Sequence, residues 1–339
     1  MPFQIIRNDI TKVSADVIVN TANPRPVFGS GTDSAVYAAA GAEALLAERR
    51  KIGDIAPGQA AVTPAFNLSA KYIIHTVGPA WLDGLHGEKD ILRACYENTL
   101  ALAAELRAES IAFPLIATGV YGFPKDEALN IALSEIGKFL LTHEMNVILV
   151  VLGTEAFALS EKLVGSIDAY LDEHQVRAIE NAEYADSRVL SEYRRRRAAR
   201  QSQAGNMSFH SPAGTAAKPL DQVLSDAGDT FQQRLFKLID ASGMDDVTVY
   251  KKANIDRKVF SRIRCKADYQ PTKKTAVALA VALRLPMQEI LGLLACAGLT
   301  FSPSDKFDLI ITYCVQNGIY DIFEINAVLF QYGQPLLGA

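Results

Sequence analysis

Short apolar runs alternate with amphipathic segments over the first 175 positions of the chain. Apolar runs bounded by turn residues predict strands, at 3–8, 16–20, 59–63, 71–76, 110–116 and 146–152. The spacing of the Ala, Leu and Ile residues between them predicts helices, at 33–51, 89–107, from Pro124 onward and at 154–174. Strands that alternate with helices of this length predict an α/β fold with a mostly parallel sheet.

The last third of the chain has a purely helical pattern. Its apolar spacing predicts helices at about 231–242, 248–253, 256–264, 272–285, 287–297, 304–317 and 322–331. Pro286 begins the fifth of these segments and Gly298 follows its end, as is usual for the two ends of a helix. We therefore expect a separate all-α domain over residues 220–339.

Residues 184–219 differ from both flanking regions. They contain four consecutive arginines, 194–197, followed by small polar residues, and they predict a basic flexible linker after a first domain at 1–183. The net charge is −9 over 1–183 (14 Lys/Arg, 23 Asp/Glu), +5 over 184–219 (7 and 2) and zero over 220–339 (13 and 13). The arginines are interpreted as a solvated helix end rather than a phosphate-binding arm.

Composition narrows the class of protein. An apolar content of 49% and a charged content of 21% are typical of a folded, soluble protein. The four cysteines show neither CxxC nor zinc-ligand spacing, so we expect reduced thiols and no metal site. The most apolar late segment contains Arg284, Pro286 and Glu289, which a membrane span does not tolerate well. No signal-peptide pattern opens the chain, and we expect a cytoplasmic protein.

Two strand-to-helix loops carry candidate chemistry. The first runs from Asn20 to Asp33 and contains Gly29 and Gly31; the second, 119–124, contains Gly119, Gly122 and the ring of Tyr121. Glycines let backbone amides approach an anion closely, and the following helix adds the positive end of its dipole. Two such loops at the carboxyl edge of one sheet suit a diphosphate, as in ADP-ribose or a dinucleotide.

Six sequence blocks in a fixed order resemble a macrodomain of the MacroD type. They are Asn-Asp-Ile-Thr (8–11), Ala-Asp-Val-Ile-Val-Asn-Thr-Ala-Asn (15–23), Gly-Ser-Gly-Thr-Asp (29–33), Ala-Ala-Gly (39–41), Tyr-Ile-Ile-His-Thr-Val-Gly-Pro (72–79) and Phe-Pro-Leu-Ile-Ala-Thr-Gly-Val-Tyr-Gly-Phe-Pro (113–124). The resemblance covers residues 1 to about 175. It implies a three-layer α/β/α fold, ADP-ribose or ADP-ribosylated protein as ligand, no cofactor, and removal of ADP-ribose from Asp or Glu side chains or from O-acetyl-ADP-ribose.

The resemblance also implies roles for individual residues. Asn23 and Asp33 match the catalytic pair, in which the acid activates or orients water beside the distal ribose. Asp9 and Ile10 match the adenine site. The remaining ligand-binding positions lie in the two glycine loops: Gly29, Ser30, Gly31, Gly119, Val120, Tyr121, Gly122 and Phe123.

Some features leave alternatives open. Phe28, Ser30 and Thr32 stand where hydrolytic members usually have two glycines and a valine, which changes the shape of the first loop. Asp33 could instead be only a helix cap, and the ligand's own phosphate could replace it as the proton acceptor. His75 lies within a strand and is interpreted as structural. No clear adenine-stacking aromatic residue follows the strand that ends at Leu152; Phe157 is a weak candidate.

Residues 231–298 resemble a lambda-repressor-like (XRE-type) helix-turn-helix, with the turn at Asn254–Ile255. Residues 251–274 contain nine Lys/Arg and two Asp, a local charge of +7, so this region is either a DNA-binding element or a protein-interaction module with a solvated basic face. The candidate DNA-binding residues are Lys251, Lys252, Arg257, Lys258 and Arg262.

Three functions follow as hypotheses. The first is an ADP-ribosyl hydrolase whose helical tail targets it to DNA or protein. The second is a non-catalytic transcriptional regulator that senses ADP-ribose. The third is a hydrolase of ADP-ribosylated nucleic acid. The presence of both Asn23 and Asp33 favours an enzyme, whereas Phe28 and Ser30 favour the sensor.

Overall fold

A computed structural model describes residues 2–152, 159, 162–174 and 228–338 of the chain. Its first part contains one six-stranded sheet in the order β1-β6-β5-β2-β4-β3, parallel except where β3 pairs with β4. The strands are β1 (Phe3–Arg7), β2 (Val17–Thr21), β3 (Ala60–Pro64), β4 (Tyr72–Thr76), β5 (Ser110–Pro114) and β6 (Asn146–Val151). The predicted mostly parallel α/β sheet is confirmed.

Helices cover both faces of this sheet. They are α1 (Thr32–Ala40), α2 (Ala42–Ile52), α3 (Glu88–Glu105), α4 (Lys125–Thr142) and α5 (162–174). The single helix predicted at 33–51 is wrong, because Gly41 adopts a left-handed φ of 104° and separates α1 from α2. Residues 184–219, which contain the predicted linker, and Phe157 lie outside the described residues.

Side chains of the strands alternate between two apolar layers. Ile18, Ile73 and Ala112 pack with α1 and α2 on one face. Val19 and Phe113 point to the other face, where α3 and α4 lie. A strand buried on both faces needs apolar residues at nearly every position, which is why the central strands are continuous apolar runs in the sequence.

Seven helices form the C-terminal unit, residues 228–338. They are α6 (Phe231–Ser242), α7 (Asp246–Lys252), α8 (Arg257–Cys265), α9 (Lys273–Ala282), α10 (Met287–Ala295), α11 (Lys306–Gln316) and α12 (Ile322–Gln331). Side chains of Asp or Thr cap the amino ends of most of them; Thr230 and Gln233 form a reciprocal capping box at α6. These caps fix the residues at which the helices begin.

The helical unit packs on the open edge of β1, which pairs only with β6 among the described residues. The buried side chain of Asn254, between α7 and α8, accepts a hydrogen bond from the Phe3 amide (2.9 Å) and donates to the Phe3 carbonyl (3.0 Å). One amide group thus pairs both outward-facing backbone groups of Phe3, which the open edge would otherwise leave unpaired. Asn254 has a φ of 53°, a conformation that Asn tolerates better than most residues.

Apolar and polar contacts extend this interface along α4 and α5. The ring of Phe323 packs edge-on against Phe3 with centroids 5.1 Å apart, and it lies against Gly137 of α4, where a Cβ would approach it to 3.2 Å. Tyr332 donates a hydrogen bond of 2.7 Å to Asp168 of α5. Because one cluster of buried apolar residues includes both units, the helical unit shares a core with the α/β unit along this interface.

Within the described residues, no helix is long and apolar enough to cross a bilayer. All four cysteines are free thiols, and Cys95 and Cys314 are buried.

Candidate active site

Two loops meet at the carboxyl ends of the central strands. The first loop, residues 22–31, joins β2 to α1; the second loop, residues 115–124, joins β5 to α4. No hydrogen bond within the described residues engages the backbone N–H groups of Ser30 and Gly31 in the first loop or those of Gly119, Val120 and Tyr121 in the second. Exposed amides on two adjacent loops, one of them at a helix amino end, form a surface that binds anions.

Asp33 lies in the first turn of α1 with its side chain turned back into the first loop. It is 3% exposed; its Oδ1 accepts a hydrogen bond from Asn20 Nδ2 (2.6 Å) and its Oδ2 one from the Gly29 amide (2.7 Å). The residue at the cap position is Gly31, so the alternative in which Asp33 only caps the helix is wrong. Burial raises the pKa of Asp33, although Asn20, Gly29 and the charge of Arg49 act to lower it.

A chain of buried side chains holds Asn20 in place. Its Nδ2 lies 3.1 Å from Nδ1 of His75, whose Nε2 lies 2.9 Å from the Thr63 hydroxyl. Burial, reinforced by the charge of Arg49, lowers the pKa of His75 to about 3, so the ring is neutral. With an amide donor at Nδ1, the proton is assigned to Nε2, facing Thr63. His75 supports the site through Asn20, which agrees with its interpretation as structural.

Arg49 of α2 brings a buried positive charge beneath the same loop. Its side chain is 1% exposed, and it donates to the carbonyl of Gly53 (3.0 Å) and, over 3.4 Å, to that of Asn23. The guanidinium therefore fixes the backbone of Asn23 and lowers the pKa of Asp33. Sequence reasoning missed both Asn20 and Arg49, because each lies within a regular element and nothing local reveals its partner.

Gly29 is enclosed by the two predicted catalytic side chains. A Cβ at this position would lie 2.5 Å from Asp33 Oδ2 and 2.6 Å from Asn23 Nδ2. The absence of a side chain is what allows Asn23 and Asp33 to approach the same point of the backbone. Phe28 leans away onto Tyr37 of α1, with ring centroids 5.1 Å apart, and Ser30 is exposed.

The second loop contains a tight turn between Gly119 and Gly122. The Gly122 amide donates to the Gly119 carbonyl (2.9 Å), and Gly122 has a φ of 67°. Burial and the charge of Asp33 raise the pKa of Tyr121. Phe123, which was predicted to bind ligand, is buried: its ring is 2% exposed and packs on Trp81, and its amide donates to the Ala117 carbonyl.

A third loop, residues 77–87, borders the second, and the Trp81 amide donates to the Tyr121 carbonyl (2.8 Å). Ligand atoms of Asp83, His86 and Glu88 lie within 4.8 Å of one another. Burial opposes ionisation of Glu88, yet backbone amides, including those of His86, Leu82 and Gly84, donate to its carboxylate and lower its pKa to about 2. This carboxylate organises the third loop.

The predicted adenine residues follow β1 at the same edge of the sheet. Asp9 Oδ1 accepts from the Thr11 amide (3.0 Å) and hydroxyl (2.8 Å), bonds that lower the pKa of Asp9. No described residue donates to Oδ2, which leaves it open to an external donor. Ile10 is buried in the core between the sheet and α1. The structure thus brings Asp9, Asn23, Asp33 and Tyr121 to one rim.

The basic residues of the helical unit divide into two groups. The Lys251 ammonium, predicted to bind DNA, donates instead to the carbonyls of Leu141 and His143, and its side chain is 10% exposed. It is therefore withdrawn into the interface between the units. Lys252, Arg257, Lys258 and Arg262 are exposed, and no carboxylate of the described residues pairs with them.

Comparison with known proteins places this rim in context. A family model described as "Macro domain" matches residues 19–132. The chain is 41% identical over 170 residues to an O-acetyl-ADP-ribose deacetylase of Cronobacter sakazakii, which covers 48% of this chain and 94% of that protein. It is 44% identical over 142 residues to a macro domain-containing protein of Methanosarcina mazei, covering 42% of this chain and 75% of that one.

Among solved structures, a macrodomain of Oceanobacillus iheyensis with bound MES is 36% identical, with a TM-score of 0.43, and covers 45% of this chain and 84% of that one.

Proposed function

The chain belongs to the macro domain family, and from that premise we propose that its rim of loops binds ADP-ribose and hydrolyses ADP-ribose esters. The substrates are O-acetyl-ADP-ribose and mono-ADP-ribose attached to Asp or Glu side chains. A relative that shares 41% of its residues over 94% of its length bears the name O-acetyl-ADP-ribose deacetylase, which supports this activity.

One observation carries the proposal: the buried carboxylate of Asp33 is fixed at both oxygens where the two amide-bearing loops meet. A carboxylate that accepts one hydrogen bond at each oxygen keeps lone pairs for a water molecule. Because burial raises its pKa, it is a stronger base than an exposed aspartate.

The rest of the rim matches the parts of the ligand. The backbone amides of Gly119, Val120 and Tyr121 have no hydrogen-bond partner among the described residues, so they are available to a pyrophosphate held between the two loops. The open Oδ2 of Asp9 is suited to accept a hydrogen bond from the adenine amino group. Asn23, beside Gly29 and Asp33, is placed to hold the distal ribose.

Hydrolysis then needs only one activated water. For ADP-ribose attached to Asp or Glu, its oxygen bonds to the anomeric carbon of the distal ribose, the bond from that carbon to the carboxylate leaving group breaks, and the water proton passes to Asp33. The transition state resembles an oxocarbenium ion, as in glycoside hydrolysis. A carboxylate is a good leaving group, so the absence of an assigned general acid is consistent with this reaction. For an acetyl ester on a ribose hydroxyl, the same water bonds to the acetyl carbonyl carbon, the bond from that carbon to the ribose oxygen breaks, and Asp33 passes the water proton to that oxygen.

The test uses the full chain with a protein mono-ADP-ribosylated on Glu or Asp, and separately with O-acetyl-ADP-ribose. Wild type should release ADP-ribose, and Asp33→Asn should lower kcat by about 10²–10⁴ while its affinity for ADP-ribose stays within a few fold. Ser34→Ala, a change at the exposed neighbouring residue, is the matched control. Tight binding by wild type without release would refute the hydrolase and leave the ADP-ribose sensor.

A second candidate function is supported by the exposed cations of α8. Arg257, Lys258 and Arg262 have no described carboxylate partner, and together they form a basic face suited to nucleic-acid phosphates. The neighbouring Arg264 is instead occupied by Asp246 and by the ring of Phe236. We propose that this face, rather than the whole basic segment, contacts nucleic acid.

The position of α8 separates this function from hydrolysis. Asp256, which caps α8, lines a cavity of about 430 Å³ together with Pro2, Glu109 and Asn146, next to the amino ends of β1, β5 and β6. The ADP-ribose loops lie at the carboxyl ends, about 15 Å away along five-residue strands. The basic face therefore does not border the cleft, which weighs against the nucleic-acid-linked ADP-ribose hypothesis.

A further inference from the structure

The molecule to which the distal ribose is attached must extend out of the cleft, between the loops that surround Asp33. The Gly29 amide of the first loop donates to that carboxylate, and the second loop follows β5, the strand next to β2 in the sheet. The third loop is bonded to the second through Trp81 and Tyr121. If ADP-ribose binds as proposed above, whatever it is attached to rests on the outer surfaces of these three loops.

Those outer surfaces are apolar. Of the eleven large hydrophobic side chains that are exposed among the described residues, five lie on the three loops: Val27, Phe28, Leu82, Leu85 and Val120. Leu82 and Leu85 are 69% and 85% exposed and Val120 is 82% exposed, so each presents most of its side chain to solvent. We call these five residues the apolar rim. Exposed apolar groups gathered around a cleft are typical of a protein-binding surface.

The charge of the same three loops weighs against a nucleic acid as the partner. Residues 22–31, 77–87 and 115–124 contain one arginine, Arg25, and one aspartate, Asp83, apart from His86. A surface with this balance gains nothing from the release of counterions by a nucleic acid. The cations of the molecule that suit phosphates lie on α8, away from the cleft.

We propose that the apolar rim is a docking surface for the polypeptide that carries the ADP-ribose, and that it binds apolar side chains next to the modified Asp or Glu. This inference rests on the proposed function but goes beyond it, because it assigns sequence preference in the target protein to Leu82, Leu85 and their neighbours. Substrates without a polypeptide do not use the rim.

The test compares Leu82→Ser/Leu85→Ser with wild type on two substrates that share the cleft. Neither side chain belongs to the proposed catalytic or ADP-ribose-binding groups. For a protein mono-ADP-ribosylated on Glu beside leucine or valine, KM should rise about tenfold, which corresponds to roughly 1.4 kcal/mol. For O-acetyl-ADP-ribose, whose leaving group is too small to reach the rim, kcat and KM should stay within about twofold. The matched control is Val247→Ser/Leu291→Ser, two exposed apolar residues of the helical unit.

Each remaining outcome separates the two proposals. Equal effects on both substrates, or no effect on either, would refute the apolar rim as a docking surface for polypeptide. The proposed hydrolase activity would be unaffected by that result. If wild type releases nothing, dissociation constants for modified protein and for free ADP-ribose replace KM. Wild type should then bind the modified protein more tightly than free ADP-ribose, and the double variant should lose this difference. That result would support the docking surface and refute the hydrolase. Preference for an ADP-ribosylated oligonucleotide, unaffected by the variant, would overturn the polypeptide assignment.

Discussion

Asn20 and Asp33 form a buried hydrogen-bonded pair, with Asn20 Nδ2 2.6 Å from Asp33 Oδ1, at the junction of β2 and α1. Asn20 has no exposed surface, and its own Oδ1 accepts nothing from the described residues. The pair stabilises the ionised form of an aspartate whose burial favours the neutral form. Asn20 therefore lowers the proton affinity of the proposed base.

Asn20→Ala should shift the pH dependence of hydrolysis. Without the amide donor, the pKa of Asp33 rises further above its ordinary value, because one of the interactions that lowers it is gone. A base must be ionised, so the acidic limb of kcat/KM against pH should move to higher pH. Asn20→Ser, which keeps a donor, should shift the limb less. A limb that stays where it is in Asn20→Ala would show that Asp33 is not the titrating base.

Gly29→Ala should damage the site without unfolding the chain. The added methyl group would lie 2.5 Å from Asp33 Oδ2 and 2.6 Å from Asn23 Nδ2, so both side chains must move. We expect ADP-ribose affinity, measured by calorimetry, and kcat each to fall by at least about tenfold, since small displacements of catalytic groups are costly. Gly119→Ala, where no atom lies within 4 Å, is the control for thermal stability. Unchanged kcat in Gly29→Ala would contradict the described packing.

His75 should make stability depend on pH in a specific window. Its pKa is lowered to about 3 in the folded chain and is near 6.5 when unfolded, so the unfolded state binds more protons between these values. Stability is fully present above about pH 6.5 and is lost as the pH falls, by at most roughly 1.4 kcal/mol for each pH unit. Urea denaturation at pH 7 and pH 5 measures the loss.

His75→Gln keeps a donor and an acceptor but does not titrate, and it should lose less stability than wild type between those two pH values. Glu88, whose pKa is about 2, contributes only at lower pH, as the pH falls from about 4.5. His86→Gln, at an exposed histidine, is the matched control. Equal losses in wild type and His75→Gln would remove His75 as the cause.

Much of the fold was predictable because its signals are local. Every strand of the sheet and all seven C-terminal helices follow from apolar periodicity, helped at the fifth C-terminal helix by Pro286 and Gly298. The break at Gly41 was missed, since Ala and Leu on both sides continue a helical pattern. The contact between Asn254 and Phe3 joins residues 251 positions apart, and no local signal in the sequence predicts it.

The site was predictable where chemistry lies in loops and not where it lies in strands or helices. Asn23 and Tyr121 stand in glycine-bearing loops whose composition indicates a ligand, and Asp33 follows the first of these loops directly. Asn20 and Arg49 lie among apolar neighbours of β2 and α2, where only the folded packing shows their partners. Phe123 lies in a glycine loop as well, but its ring packs against the ring of Trp81 and is buried.

Asn254→Ala should destabilise the whole chain. The change leaves the buried N–H and C=O of Phe3 without partners and puts Ala in a left-handed conformation. Two unpaired backbone groups and the backbone strain together cost about 3–5 kcal/mol. Asn254→Gly avoids the backbone strain but still lacks both hydrogen bonds. Its free energy of unfolding, measured with denaturant, should lie between those of wild type and Asn254→Ala. Wild-type stability in Asn254→Ala would show that the helical unit does not close the edge of β1.

Nucleic-acid binding by α8 should depend steeply on salt and on three residues. Each phosphate contact steepens the slope of log K against log salt by about 0.9 for duplex DNA. Replacing Arg257, Lys258 and Arg262 with Gln should therefore reduce the slope by up to roughly 2.7 and weaken binding to random duplex in gel shifts. Lys251→Gln should leave the slope unchanged, because that ammonium is held by the carbonyls of Leu141 and His143. A slope near zero for wild type would eliminate the basic face as a nucleic-acid site. As a control, ADP-ribose hydrolysis by all these variants should match that of wild type, because α8 lies at the other end of the sheet.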